Sequence, residues 1–177
     1  MKYFTPELHV RMQDFASDAT MDAAEAASEA AGQRYDAHLQ ALAPEMPPWY
    51  RQFDDLLLQG AQVWAIGRSG DQFLMVLHKE IPPRDVVVLT YTLTREPFID
   101  REALPPLYRS GVMDFLYDEF DLVREKGEKH GVHSILFGNG WEIRLQFPDV
   151  KVTTMEPLYP VPGTVLTPVP TSVAPCR

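Results

Sequence analysis

The sequence predicts an α+β fold: N-terminal helices packed on one antiparallel β-sheet, a meander of hairpins, with a Pro-rich C-terminal tail. Three observations lead there. Eleven alanines fall between Ala16 and Ala43, and alanine is the strongest helix former. From Val63 to Phe147 apolar residues recur at a period of two, with turn residues between the runs. The helical and extended stretches are segregated instead of alternating as β-α-β units, which disfavours a parallel sheet. The expected organisation is one domain over 1–155, helical in 1–60 and sheet in 61–155, followed by an extended tail over 156–177.

In the helical part, Ser17, Asp18 or Thr20 can cap the start of a long helix. Met21, Ala24, Ser28, Ala31, Tyr35, His38 and Leu42 are spaced by three and four and share one stripe. The stripe is thin, so the helix buries little by itself. Pro44, Pro47 and Pro48 stop it. Trp49, Phe53, Leu56 and Leu57 then read as the apolar face of a second helix, with Gly60 as its C-terminal cap.

In the sheet part, Val63–Gly67 and Gln72–His78 flank Arg68-Ser69-Gly70-Asp71. A two-residue loop at Ser69-Gly70 pairs Ile66 with Phe73 and Trp64 with Met75. Val86–Thr94 follows the Pro82-Pro83 break, then comes a connector over 95–111, then a strand over Met113–Val123. The arms of the last hairpin, His133–Phe137 and Trp141–Phe147, flank Gly138-Asn139-Gly140. A three-residue loop with Gly140 left-handed gathers His133, Ile135, Phe137, Trp141, Ile143, Leu145 and Phe147 on one face. A slip of one residue would scatter them. The expected core is Trp64, Phe73, Ile135, Phe137, Trp141, Ile143 and Leu145.

Composition excludes several classes. The chain of 177 residues has 16 basic and 25 acidic side chains, a net charge of -9. No Lys/Arg cluster suits a nucleic-acid backbone, so no nucleic-acid partner is expected. An acidic chain suits a basic protein partner. The opening residues have no apolar signal core. The uncharged run 157–176 holds too many prolines for a lipid-buried helix, so no membrane partner is expected and the protein reads as soluble and cytoplasmic. The single cysteine, Cys176, excludes an intramolecular disulfide and a multi-thiolate zinc site.

The densest polar constellation is Tyr117, Asp118, Glu119 and Asp121, followed by His130 and His133. Carboxylates with imidazoles can hold a divalent metal that activates water. On a strand, Glu119 and Asp121 point one way and Asp118 the other. His130 and His133, three apart across Gly131, suit a turn. The plainer reading is a solvated strand edge with a partly buried His133. Gly67-Arg68-Ser69-Gly70 lacks the strand-to-helix elbow a nucleophilic serine needs. Gly138-Asn139-Gly140 lacks the helix and lysine of a phosphate loop. Trp49, Tyr50, Phe53, Trp64, Phe73 and Trp141 are able to line a pocket, but their positions match core faces better.

Lys2-Tyr3-Phe4-Thr5-Pro6-Glu7-Leu8 and Phe115-Leu116-Tyr117-Asp118-Glu119-Phe120-Asp121-Leu122, with His133-Ser134-Ile135-Leu136-Phe137, carry a resemblance. Over residues 1–155 the chain resembles a bacterial domain family of unknown function whose members open on a Tyr-Phe-Thr-Pro-Glu-Leu-type segment. The resemblance implies a bacterial cytoplasmic setting and one integrated domain, and brings no activity. The functional expectation is therefore a non-enzymatic protein-binding module, immunity- or antitoxin-like by analogy only, without cofactor or resident metal. Tyr117, Glu119, Asp121, His130 and His133 are its candidate binding residues. The alternative is a metal-dependent hydrolase using Glu119, Asp121, His130 and His133.

Overall fold

The computed structural model describes residues 1–54, 56–82 and 84–157. The tail expected over 156–177 lies outside them from residue 158 onward. The fold is α+β. Helix α1 spans Pro6–Met12, with Thr5 accepting from the Leu8 N–H and proline at its first position. Helix α2 spans Asp18–Leu42, and Ser17 caps it in a reciprocal box with Thr20. Only Ala24 and Ala31 of α2 are buried, as its thin stripe implied. The expected second helix is a short 3-10 segment, Pro48–Phe53. It turns Trp49 and Phe53 inward but leaves Leu57 54% exposed.

Eight strands follow: β1 Gln62–Ser69, β2 Gln72–His78, β3 Val86–Thr92, β4 Phe98–Asp100, β5 Phe115–Glu125, β6 Glu128–Phe137, β7 Glu142–Phe147 and β8 Asp149–Met155. They form two antiparallel sheets where one was expected, ordered β1-β2-β3-β8 and β4-β7-β6-β5. Pro148, between β7 and β8, has no N–H to offer a ladder, and there the chain crosses from one sheet to the other. Corner bonds stitch the sheets together: Phe115 N–H to the Ala61 carbonyl at 2.8 Å, and Thr94 N–H to the Gln146 carbonyl at 3.0 Å.

The last hairpin has the expected register. Ile135 pairs with Ile143, the Phe137 N–H donates to the Trp141 carbonyl, and Gly140 sits at φ +91°. The first hairpin is shifted. Ser69 pairs with Gln72 and Ile66 with Met75, so the loop is Gly70-Asp71, not Ser69-Gly70. Gly70 has φ +60°, and a type II′ turn wants glycine at its first central position. A bulge between Val63 and Ala65 then turns Trp64 out of register.

β6 is longer than the sequence suggested. Lys126 (φ 52°) and Gly127 (φ 87°) are both left-handed, as a type I′ turn requires. His130 and His133 therefore lie on one continuous strand, not across a turn.

Both sheets contribute to one core, which contains Phe73, Ile135, Phe137, Ile143 and Leu145 as expected. Two of the expected core residues do not belong to it. Trp64 is 45% exposed because of the bulge, and Trp141 is half-buried beside the Gly138–Gly140 loop. A Cβ on Gly131 would meet the Trp49 ring at 2.4 Å, so glycine is required where that ring crosses β6.

Candidate functional site

Alternation along β5 places Tyr117, Glu119 and Asp121 on the face away from the core, and cross-strand pairing puts Phe120 opposite His133 on the core face. His130 and His133, an odd number of residues apart, take opposite faces of β6. The five candidate residues therefore do not share a site. Four lie on the outer face and His133 lies inside. Among the described residues, no three His, Cys, Asp or Glu side chains gather as a metal-ligand set.

Each has a separate task. The buried Glu119 carboxylate accepts three backbone N–H groups, from Lys2 (2.7 Å), Tyr3 (2.7 Å) and Phe4 (2.6 Å). The Met1 amino group reaches Glu142 at 2.5 Å. Two carboxylates on β5 and β7 thus clasp the N-terminal segment to the sheet. Tyr117 stacks on Phe4 and meets His9 edge-on. Asp121 bonds His38 of α2 at 3.1 Å. Tyr35 of α2 accepts the Phe120 N–H at 2.6 Å, capping the exposed edge of β5. His130 is buried with no hydrogen bond to Nδ1 among the described residues.

His133 joins the two sheets. Its Nδ1 meets the Tyr91 hydroxyl at 2.7 Å, its Nε2 meets Asp118 at 3.0 Å, and its ring stacks on Phe120. An Asp-His-hydroxyl chain has the order of a nucleophilic triad. Here it ends in a fully buried phenol that burial holds in the neutral form, its pKa pushed well up. No substrate reaches that oxygen, so the chain acts as an internal strut.

His9 supplies a pH handle. Burial lowers its pKa against the opposing pull of Asp114, and its Nδ1 is buried without a partner among the described residues. The folded protein thus binds this proton less readily than the unfolded chain. The stability from neutral His9 is complete above the unfolded value of about 6.5. It is lost as pH falls below that value through the depressed folded one. Denaturation of His9→Gln and wild type from pH 7.5 to 5 should show a shallower decline in the variant. Parallel curves would remove His9 from the account.

The expected aromatic group divides. Trp49, Tyr50 and Phe53 pack with Phe120 inside. Trp64, Phe73 and Trp141 line a groove of about 520 Å³ that also takes in Ile66, Pro97, Ile99 and Met113. Its walls are two sheet edges. Among the described residues β1 beyond Val63 pairs only with β2, and β4 pairs only with β7. Trp64 stacks on the buried His78 at 4.8 Å, and Arg101 lies over Trp141 at 4.8 Å. Arg68 and Glu96 pair at the mouth. The sequence named both tryptophans but gave no sign of Ile99, whose place depends on which strands meet. No helix among the described residues is long and apolar enough to cross a membrane. The chain matches no model of a known protein family and no curated protein.

Proposed function

We propose that this protein is a non-enzymatic protein-binding module, and that an extended apolar segment of a partner protein lies in the groove between β1 and β4. The observation that carries the reading is the pairing of two unfilled strand edges with an apolar lining. An added strand gains backbone hydrogen bonds from an edge and side-chain burial from the pockets beside it. Trp64 and Ile99 are 45% and 39% exposed, and large rigid aromatics anchor interfaces.

A partner of basic character fits the rest of the surface. Asp18, Asp22, Glu25, Glu29 and Asp36 are all exposed on α2, and their spacing of four, three, four and seven sets them in one stripe. Like charges at this spacing cost a helix roughly 0.2–0.5 kcal/mol per pair. None of the five forms an ion pair among the described residues. Such a stripe steers a cationic partner at low salt. The setting remains that of a bacterial cytoplasmic protein of the immunity or antitoxin kind, by analogy.

The test uses the full chain as bait in its native host. A stoichiometric partner should be retained by wild type and lost by Trp64→Gln and by Ile99→Gln, both melting as wild type does. Retention by both folded variants, or no stoichiometric partner, would refute the reading.

A further inference from the structure

Glu119, Ser134 and Arg144 stand side by side across β5, β6 and β7 on the outer face. They floor a hollow of about 290 Å³ that Lys2, Arg95 and Asp121 help to wall. Arg95 arrives from a distant part of the chain, because the Thr94 N–H is tied to the Gln146 carbonyl. The charges in this hollow are unevenly committed. Glu119 already accepts three amide N–H groups. Asp121 holds His38 and the Leu122 N–H. By contrast, neither Lys2 nor Arg95 forms an ion pair with a carboxylate among the described residues, although Lys2 lies over the Tyr3 ring at 5.1 Å; Arg144 pairs with Glu142 at 3.4 Å and lies over the Phe98 ring at 5.3 Å.

Ser134 gives an independent pointer. It is 7% exposed as a residue and lines the hollow, and its hydroxyl, which makes no hydrogen bond among the described residues, is open to the space and free to donate to a ligand. Arg95 and Arg144 also wall an adjoining hollow of about 410 Å³ beside Phe98 and Gln146, so their donors stand between two spaces.

We propose that this hollow binds the phosphate group of a small phosphomonoester. Arg95, Arg144, Lys2 and the Ser134 hydroxyl hold the phosphate, and the organic part extends past Phe98. Guanidinium forks match phosphate oxygens in pairs. Two guanidiniums, an ammonium and a hydroxyl supply more donors than the two oxygens of a carboxylate can accept, while a phosphomonoester offers three terminal oxygens. None of the hollow's lining residues lines the β1–β4 groove, so the site stands or falls apart from the partner surface.

The experiment titrates inorganic phosphate into the full-length protein against chloride at matched ionic strength. Melting temperature and the Arg side-chain and Ser134 amide NMR signals are followed. Wild type should saturate, since a ligand that binds the folded state alone stabilises it. Arg95→Gln should weaken binding at least tenfold and Ser134→Ala several-fold. Arg95→Lys should retain part of the affinity, and Arg34→Gln on α2 should change nothing. A non-saturating response equal in wild type and Arg95→Gln would mean general salt binding and would overturn the site. Acetate binding as tightly as phosphate would overturn the ligand class.

Discussion

Glu119→Ala should destabilise the protein by about 3–5 kcal/mol, the cost of leaving three hydrogen-bonded amide N–H groups without their acceptor at about 1–3 kcal/mol each. The carboxylate is 6% exposed and serves three N–H groups at 2.6–2.7 Å. Hydrogen bonds to a charged acceptor are the strong kind, about 1.5–3 kcal/mol each. Alanine leaves all three donors without it. Tyr3 and Phe4 both donate to Oε1 and Lys2 donates to Oε2, so a glutamine oxygen at Oε1 keeps two of the three bonds while its NH2 faces the Lys2 N–H, and Glu119→Gln should recover part of the loss. In a domain of this size the loss corresponds to roughly 6–20 °C in melting temperature. Hydrogen exchange at Lys2, Tyr3 and Phe4 should accelerate with it. A variant that melted with wild type and kept those amides protected would show that the clasp contributes nothing.

His133→Ala should cost a similar amount, about 3–5 kcal/mol, for a different reason. The side chain is wholly buried. Its removal leaves a cavity against Phe53, Phe120 and Tyr91 and strips the partners from the Tyr91 hydroxyl and from Asp118. Large-to-small changes in a core cost transfer energy plus cavity energy, and an unpaired buried hydroxyl adds to both. Tyr91→Phe removes only one bond and should cost about 1–2 kcal/mol. The double variant should be non-additive by roughly 0.5–3 kcal/mol, as contacting residues in one network are. Strict additivity in chemical denaturation would mean that His133 and Tyr91 are neighbours without being partners.

These two residues also show where reading the sequence stops. The opposite facing of Glu119 and Asp118 was legible, because strand alternation is local. So was the last hairpin, because Gly138-Asn139-Gly140 admits only one register that gathers the apolar residues. The task of Glu119 was not legible, because its partners are backbone N–H groups more than a hundred residues away. A sequence pattern marks side chains, not amides. The Tyr91–His133 bond was hidden for a related reason. Alternation says which face a residue takes, not which sheet lies opposite, and the division into two sheets depends on long-range pairings such as Phe115 with Ala61. Local turn chemistry misled twice. Arg68-Ser69-Gly70-Asp71 offers two loops that differ by one residue, and only the backbone demand at Gly70 separates them. Lys126-Gly127, between two glutamates, reads as a solvated charge run rather than a tight turn. The bulge at Val63–Ala65 has no sequence mark, and it carried Trp64 from the expected core to the surface.

The clasp has a consequence for the growing chain. Residues 1–4 find their acceptors only on β5 and β7, so at about 5–20 residues per second the N-terminal segment waits roughly 7–28 s for both. Helix α2 waits as well, since its partners Phe120 and Asp121 lie on β5. A nascent segment with a broad apolar face would be exposed to aggregation during that interval. This one buries only two alanines of α2 when folded and carries five like charges along one side. Weak packing in the finished protein is thus matched by solubility in the unfinished one, and the N-terminal third can remain unassembled at the ribosome until the strands that hold it exist.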